Sequence, residues 1–138
     1  MIKNIYLKYK KIINYLVFGF LTTIVNLLTY YLLVLTILNP NQPKELQIAN
    51  IISWIISVTF AYITNRIYVF KSKNQKTKEL LKFYTSRLIT LFLDIILMYI
   101  LVTKLHLNDK IIKLIISIII IILNYIISKL LVFKKTKP

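Results

Sequence analysis

The chain has 138 residues, of which 58% are hydrophobic, and it sets only 4 acids against 19 lysines and arginines. Soluble domains carry roughly half apolar and about a quarter charged residues, so this composition excludes an ordinary water-soluble fold and points to lipid as the solvent. The net charge of +15 would suit nucleic acid, but the cations sit at the ends of apolar runs and not along one polar face, and the chain has no cysteine for disulfides or thiolate-bound metals.

A basic arm, MIKNIYLKYKK, precedes the first apolar run. It has the charge of a signal-peptide start, but the run continues far beyond ~15 residues with no A-x-A-like cleavage site, so it is expected to remain as a first transmembrane helix. Crossing ~30 Å of hydrocarbon takes ~20 residues at ~1.5 Å each. Four segments meet that length, at about 12–38, 46–70, 80–105 and 110–133. Between them, NPNQPKE at 39–45 carries turn residues, KSKNQKTKE at 71–79 forms a solvated basic loop, and HLND at 106–109 forms a tight turn. The isoleucine-rich run 111–122 would favour a strand in water. In lipid every backbone N–H and C=O must be satisfied within the segment, which a helix does and a lone strand cannot. The expected fold is an all-α membrane protein, one domain over 1–138, with four transmembrane helices arranged as two hairpins.

Lysine and arginine positions set the orientation. The arm carries Lys3, Lys8, Lys10 and Lys11; the middle loop and its flanks carry Arg66, Lys71, Lys73, Lys76, Lys78 and Lys82; the C-terminal end carries Lys129, Lys134, Lys135 and Lys137. The other two turns have only Lys44, Lys104, Lys110 and Lys113. By the positive-inside rule both termini and the central loop are expected to be cytoplasmic.

The chain also repeats itself. A shift of 68 lays Tyr15, Thr22, Asn26, Tyr31 and Val34 over Phe83, Thr90, Asp94, Tyr99 and Val102. A shift of 63 lays Tyr62, Asn65, Arg66, Val69, Phe70 and Lys71 over Tyr125, Ser128, Lys129, Val132, Phe133 and Lys134. Two crossings return the chain to the side it left, so the hairpins are expected to be parallel repeats.

Four spans, NRIYVFK at 65–71, its copy SKLLVFK at 128–134, and the early FGFLTT segment with Gly19 together resemble the GtrA-like family of small bacterial membrane proteins. The resemblance covers nearly the whole chain. It implies a bacterial cytoplasmic-membrane protein working in surface polysaccharide or teichoic-acid glycosylation. There, a sugar on a polyprenyl phosphate such as undecaprenyl phosphate moves from the inner to the outer leaflet. It also implies a membrane glycosyltransferase as partner.

The residues themselves offer a polar set within the spans. Charged groups there cost from about 2.5 kcal/mol upward, so each is expected to face a cavity, a partner or a ligand. Arg87 and Asp94 project from one face of the third helix, ~10 Å apart along its axis, too far for an unstretched salt bridge. Arg66 and Lys129 lie one turn inside the basic ends of the second and fourth helices, and if the bundle closes they meet Arg87 at similar depth. Such cations suit a lipid phosphate, Arg by bidentate hydrogen bonds and Lys as a point charge. Against this, Arg66 and Lys129 can simply snorkel to the interface. Asp94 is open to three uses: structural pairing with a cation, acceptance of sugar hydroxyls, or proton coupling.

Asn26, Asn65, Asn124, Ser128, Thr22 and Thr23 can line a path for sugar hydroxyls or merely tie helices together. Ser53, Ser57, Ala61 and Asn65 recur every four residues as a small-residue packing ridge, and Gly19, the only glycine, is expected at a close helix approach. Tyr6, Tyr9, Tyr15, Tyr68, Phe70, Phe83, Tyr84 and Phe133 are expected in an interfacial aromatic belt, and Val69, Phe70 and Lys71 in a membrane-exit signature.

Enzyme chemistry finds little to build on: the sequence has no Ser-His-Asp set, no paired carboxylates at a useful spacing, no phosphate-cradling glycine loop, and no metal or cofactor motif. The expected function is translocation of the lipid-linked sugar. Movement would be downhill or coupled through Asp94, and four helices make so thin a wall that homo-oligomerisation is compatible with it. Two other readings stay open, a non-transporting scaffold for a glycosyltransferase and a small four-helix exporter.

Overall fold

The computed structural model describes residues 1–135, so Lys137, one of the cations used for orientation, lies outside the described residues. Among the described residues there is no strand. Four α-helices follow one another: α1 Ile2–Thr36, α2 Pro43–Thr64, α3 Lys76–Met98 and α4 Asp109–Ile127. The last three each run on into a π-helical turn, at Asn65–Val69, Tyr99–Lys104 and Ser128–Val132. With those turns included, four helices are long and apolar enough to cross a membrane, as the composition requires. The chain divides between Lys71 and Ser72 into two compact units, one per hairpin.

The element boundaries differ from expectation mainly at N-termini. Residues 2–11 are not a separate arm but the start of α1. Ile2, Ile5, Tyr6, Tyr9, Ile12 and Ile13 recur at helical spacing, so the arm is one amphipathic extension. Its 35 residues span about 50 Å, well beyond the hydrocarbon thickness. The expected turn at 39–45 loses its last three residues to α2, because Pro43 stands at the first helical position, where its fixed φ and missing N–H cost nothing. The basic loop shortens to 71–75, since α3 begins at Lys76.

The acids explain these early starts. Glu45, Glu79 and Asp109 each lie in the first turn of a helix, α2, α3 and α4 respectively, where a negative charge meets the positive end of the helix dipole.

In the first hairpin α1 packs along α2. The buried face of α2 is Ala49, Ser53, Ser57, Ala61 and Asn65, all every fourth residue, with Val58, Tyr62 and Thr64 beside it. The packing ridge read from the sequence is therefore real and one step longer. Small side chains let backbones approach closely, which matters in lipid because no hydrophobic effect presses helices together there. Gly19 does not share in this. A Cβ placed on it would meet nothing within 4 Å, so it is not a close-approach position, and its backbone carbonyl merely accepts from the Thr23 hydroxyl at 3.2 Å.

The second hairpin packs α3 on α4 with larger groups. Phe83 and Ile116 are fully buried, and the Phe83 ring meets Phe133 at 5.9 Å between centroids. The aromatic belt is correspondingly smaller than expected. Tyr15, Phe83 and Phe133 are buried, whereas Tyr6, Tyr9 and Tyr68 are exposed. Val69 and Val132 are also buried, so these valines take part in helix packing.

The turn between α3 and α4 holds two opposed local effects. Asn108 caps α4, its Oδ1 accepting from the N–H groups of Lys110 at 3.0 Å and Ile111 at 3.2 Å. His106 has φ 55°, a left-handed conformation that disfavours side chains with a Cβ. Asn108→Ala is expected to destabilise the detergent-solubilised protein by about 1 kcal/mol, and His106→Gly to stabilise it by about 0.5–1 kcal/mol. Thermal unfolding of each variant beside the parent checks both signs.

Candidate functional site

The two copies of the repeated motif adopt the same unusual conformation. In NRIYVFK and SKLLVFK the first five residues form the π turn. The first residue enters it with a divided backbone donor: the Asn65 N–H points to the carbonyls of Ala61 and Tyr62, and the Ser128 N–H to those of Asn124 and Tyr125. Each turn closes with an i to i+5 bond of 2.8 Å, from the Phe70 N–H to the Asn65 carbonyl and from the Phe133 N–H to the Ser128 carbonyl. Each forms the C-terminal turn of its helix. The i, i+4 buried pair is matched too: Asn65 with Val69, and Ser128 with Val132.

Local chemistry supports the departure from α-helix in the first copy. Thr64 returns its hydroxyl to the carbonyls of Phe60 at 2.9 Å and Ala61 at 3.1 Å. The Asn65 Nδ2 adds a bond of 2.6 Å to the same Ala61 carbonyl. Side chains that return to the preceding turn compete with the regular ladder and bend it.

This arrangement leaves polar atoms over. Among the described residues, the buried Oδ1 of Asn65, Oδ1 of Asn124, Oγ of Ser128 and Oγ of Ser53 find no hydrogen-bond partner. Asn124 and Ser128 are one turn apart on α4, on the same face. A buried polar group without a partner costs about 1–3 kcal/mol, so such groups are rare in native structures. Three of these four oxygens belong to residues the sequence pattern singles out. They offer hydrogen-bonding capacity inside apolar spans, and two of them, on Asn65 and Ser128, stand at equivalent places in the two hairpins.

The other polar residues of the set are engaged. Asn26 donates from Nδ2 to the Ser57 Oγ at 3.2 Å, and the Ser57 hydroxyl donates to the Trp54 carbonyl at 3.0 Å, tying α1 to α2. Thr22 donates to the Phe18 carbonyl at 2.8 Å, and Thr23 likewise bonds within its own helix. Asp94 accepts from the Lys113 Nζ at both oxygens, 3.0 and 2.8 Å, tying α3 to α4. Asn26 and Asp94 correspond in the repeat, and each tethers the first helix of its hairpin to the second.

The cations occupy distinct settings. Arg66 is half-buried at the second position of the first π turn, next to Asn65; Lys129 holds the same position in the third π turn, next to Ser128, and is exposed. Arg87 is half-buried, its guanidinium 4.5 Å from the centre of the Phe83 ring one turn nearer the basic end. A guanidinium over an aromatic face is held by the ring quadrupole while keeping its donors at the edge. Arg87 and Asp94 have separate neighbours, as their spacing predicts.

Sequence reasoning passed over two residues here. Lys113 entered only as a turn cation, because a uniform rise puts Asp94 near mid-span. In the fold α3 and α4 pack together and bring the Lys113 Nζ within 3.0 Å of both Asp94 oxygens. Glu79 entered only as part of a basic loop, yet it is 2% exposed and accepts a hydrogen bond from the Ser72 hydroxyl. A lone acid among lysines is the available signal.

Two stability tests follow from these contacts. Asp94→Asn and Lys113→Gln are each expected to lower the unfolding temperature, and the double variant to lose less than the sum, which a double-mutant cycle measures. Ser128→Ala removes a buried hydroxyl without a partner and is expected to hold or raise stability by up to about 1 kcal/mol. A clear loss for Ser128→Ala would mean that the hydroxyl is bonded.

Comparison with known proteins gives concordant results. A family model described as the GtrA/DPMS transmembrane domain matches residues 14–133. The chain is 41% identical over 127 residues to the uncharacterized membrane protein YwcD of Bacillus subtilis, spanning 89% of this chain and 96% of that one. It is 36% identical over 130 residues to the cell wall teichoic acid glycosylation protein GtcA of Listeria innocua, spanning 91% and 86%. The Listeria monocytogenes GtcA is 35% identical over the same coverage.

Proposed function

The chain belongs to the GtrA/DPMS transmembrane-domain family, and we propose that it moves a polyprenyl-phosphate-linked sugar across a bacterial cytoplasmic membrane for teichoic-acid or related surface glycosylation. Both termini face the cytoplasm in this reading, by the placement of the lysines. Glycosyl transfer itself belongs to a partner, a membrane glycosyltransferase that consumes the lipid-linked sugar outside, and the protein acts without a cofactor.

The observation that carries the reading is the pair of matched π turns. In each, a buried oxygen that finds no partner among the described residues is followed in sequence by a cation, Asn65 by Arg66 and Ser128 by Lys129. A sugar supplies hydroxyl donors for such oxygens, and a phosphate supplies acceptors for such cations. Asn124 extends the acceptor set along α4, and Arg87 adds a further cation held over Phe83. The relatives named for cell wall teichoic acid glycosylation support the same direction. Asp94, paired with Lys113, serves here as an interhelical tie. Its use in ion coupling would require that pair to open. Homo-oligomers would supply the wall that four helices alone make thin.

Reconstitution in vesicles tests the proposal. Purified protein is expected to speed movement of a polyprenyl-phosphate sugar between leaflets by at least tenfold over protein-free vesicles. Arg66→Ala, Arg87→Ala and Asn65→Ala are each expected to remove most of that gain without unfolding the protein. An unaccelerated lipid, together with cells that glycosylate normally when carrying Arg87→Ala, would leave the scaffold reading instead.

A further inference from the structure

The second hairpin holds two adjoining cavities that the end of the repeated motif helps to line. One is an apolar groove of about 480 Å³ between α3 and the end of α4, lined by Leu81, Thr85, Ile89, Ile127 and Leu131 among others. The second is a polar cavity of about 240 Å³ lined by Asn74, Gln75, Lys78, Glu79, Lys82 and Val132. Lys82 and Val132 line both. The polar cavity lies at the basic end, at the first turn of α3, and the groove runs from it into the membrane-spanning part of the hairpin.

We propose that this composite is a binding site for one single-chain lipid phosphate, its phosphate in the polar cavity against Lys78 and Lys82 and its hydrocarbon chain in the groove. The proposal rests on the reading of the protein as a carrier of polyprenyl-phosphate sugars and assigns that carrier lipid a place. Three features fit that occupant. The polarity changes once, from charged to apolar, in the direction an inserted amphiphile requires. The groove lies between α3 and the end of α4 and takes in Leu81, Ile89, Ile127 and Leu131, side chains that suit a hydrocarbon chain.

The third feature is charge. Lys78 and Lys82 are four residues apart and share one face of α3, so both ammonium groups can meet one phosphate. The N-terminal end of the α3 dipole adds to their field. Glu79 lines the same cavity and opposes an anion, but its carboxylate accepts a hydrogen bond from Ser72. The two lysines leave the lining cationic. Asn74 is fixed by its Nδ2 bond of 2.6 Å to the Lys134 carbonyl, which ties the loop to the segment after the third π turn and holds the rim in place.

The test is lipid binding by the full-length protein in detergent, followed by native mass spectrometry, with undecaprenyl monophosphate as probe and phosphatidylglycerol as competitor. The parent is expected to retain the monophosphate against a tenfold excess of competitor. Lys82→Gln and the double variant Lys78→Gln with Lys82→Gln are expected to weaken retention more than tenfold, Lys82→Arg to keep it, and Ile89→Trp to weaken it by filling the groove. Lys3→Gln, remote in sequence from the cavity, is expected to have no effect. Unfolding temperatures confirm that each variant is folded, and Lys82→Gln and Ile89→Trp probe head and chain independently should one of them fail to fold. Equal retention of the probe by all folded variants overturns the site, as does displacement by equimolar phosphatidylglycerol. Translocation in vesicles, measured in parallel, separates the two ideas. A parent that binds through Lys82 yet moves no lipid keeps the site and loses the transport reading, and a parent that transports while Lys82→Gln binds normally does the reverse.

Discussion

Lipid offers no hydrogen-bond partner, and the structure is organised around that constraint. Each span must satisfy its own backbone, which makes every element a helix even where Ile and Thr would favour strands in water. The same solvent removes the hydrophobic drive between helices, so association must come from close packing and polar ties. The first hairpin relies on the first of these, through the small-residue face from Ala49 to Asn65. The second relies more on volume and charge, through Phe83, Ile116 and the Asp94–Lys113 pair.

Against that background, the π turns stand out because they loosen the ladder that lipid enforces. An α-helix leaves no backbone group wanting inside the span, whereas a π turn rearranges donors and acceptors and turns side chains to new directions. In the motif copies this happens where polar oxygens are buried without partners and a cation follows. The two copies of the motif adopt equivalent conformations, with Asn65 at the first position of one and Ser128 at the first position of the other.

Charge is used sparingly. Three of the four acids sit at helix N-termini, and the fourth is held by Lys113. The cations are left in large excess, 19 lysines and arginines against 4 acids. Glu79 shows the limit of reading such a pattern linearly. By sequence it is one acid diluted in a lysine-rich loop, but in the fold it is a buried carboxylate held by Ser72 on the wall of a cavity.

The sequence by itself determined the solvent, the number of spans, the repeat and the small-residue ridge, because these depend on composition and periodicity along the chain. It also placed attention on Asn65, Asn124 and Ser128, since polar residues in an apolar run are legible without any partner. Only the tertiary structure decided what those residues do with their hydrogen bonds, that Asp94 meets Lys113, that Gly19 faces open space, and that Val69, Val132 and Phe133 are buried. Those outcomes depend on which helix faces lie together and on three π turns that shift the register of everything around them. Neither is encoded by a uniform 3.6-residue period, which is all that pattern reading along a single chain assumes.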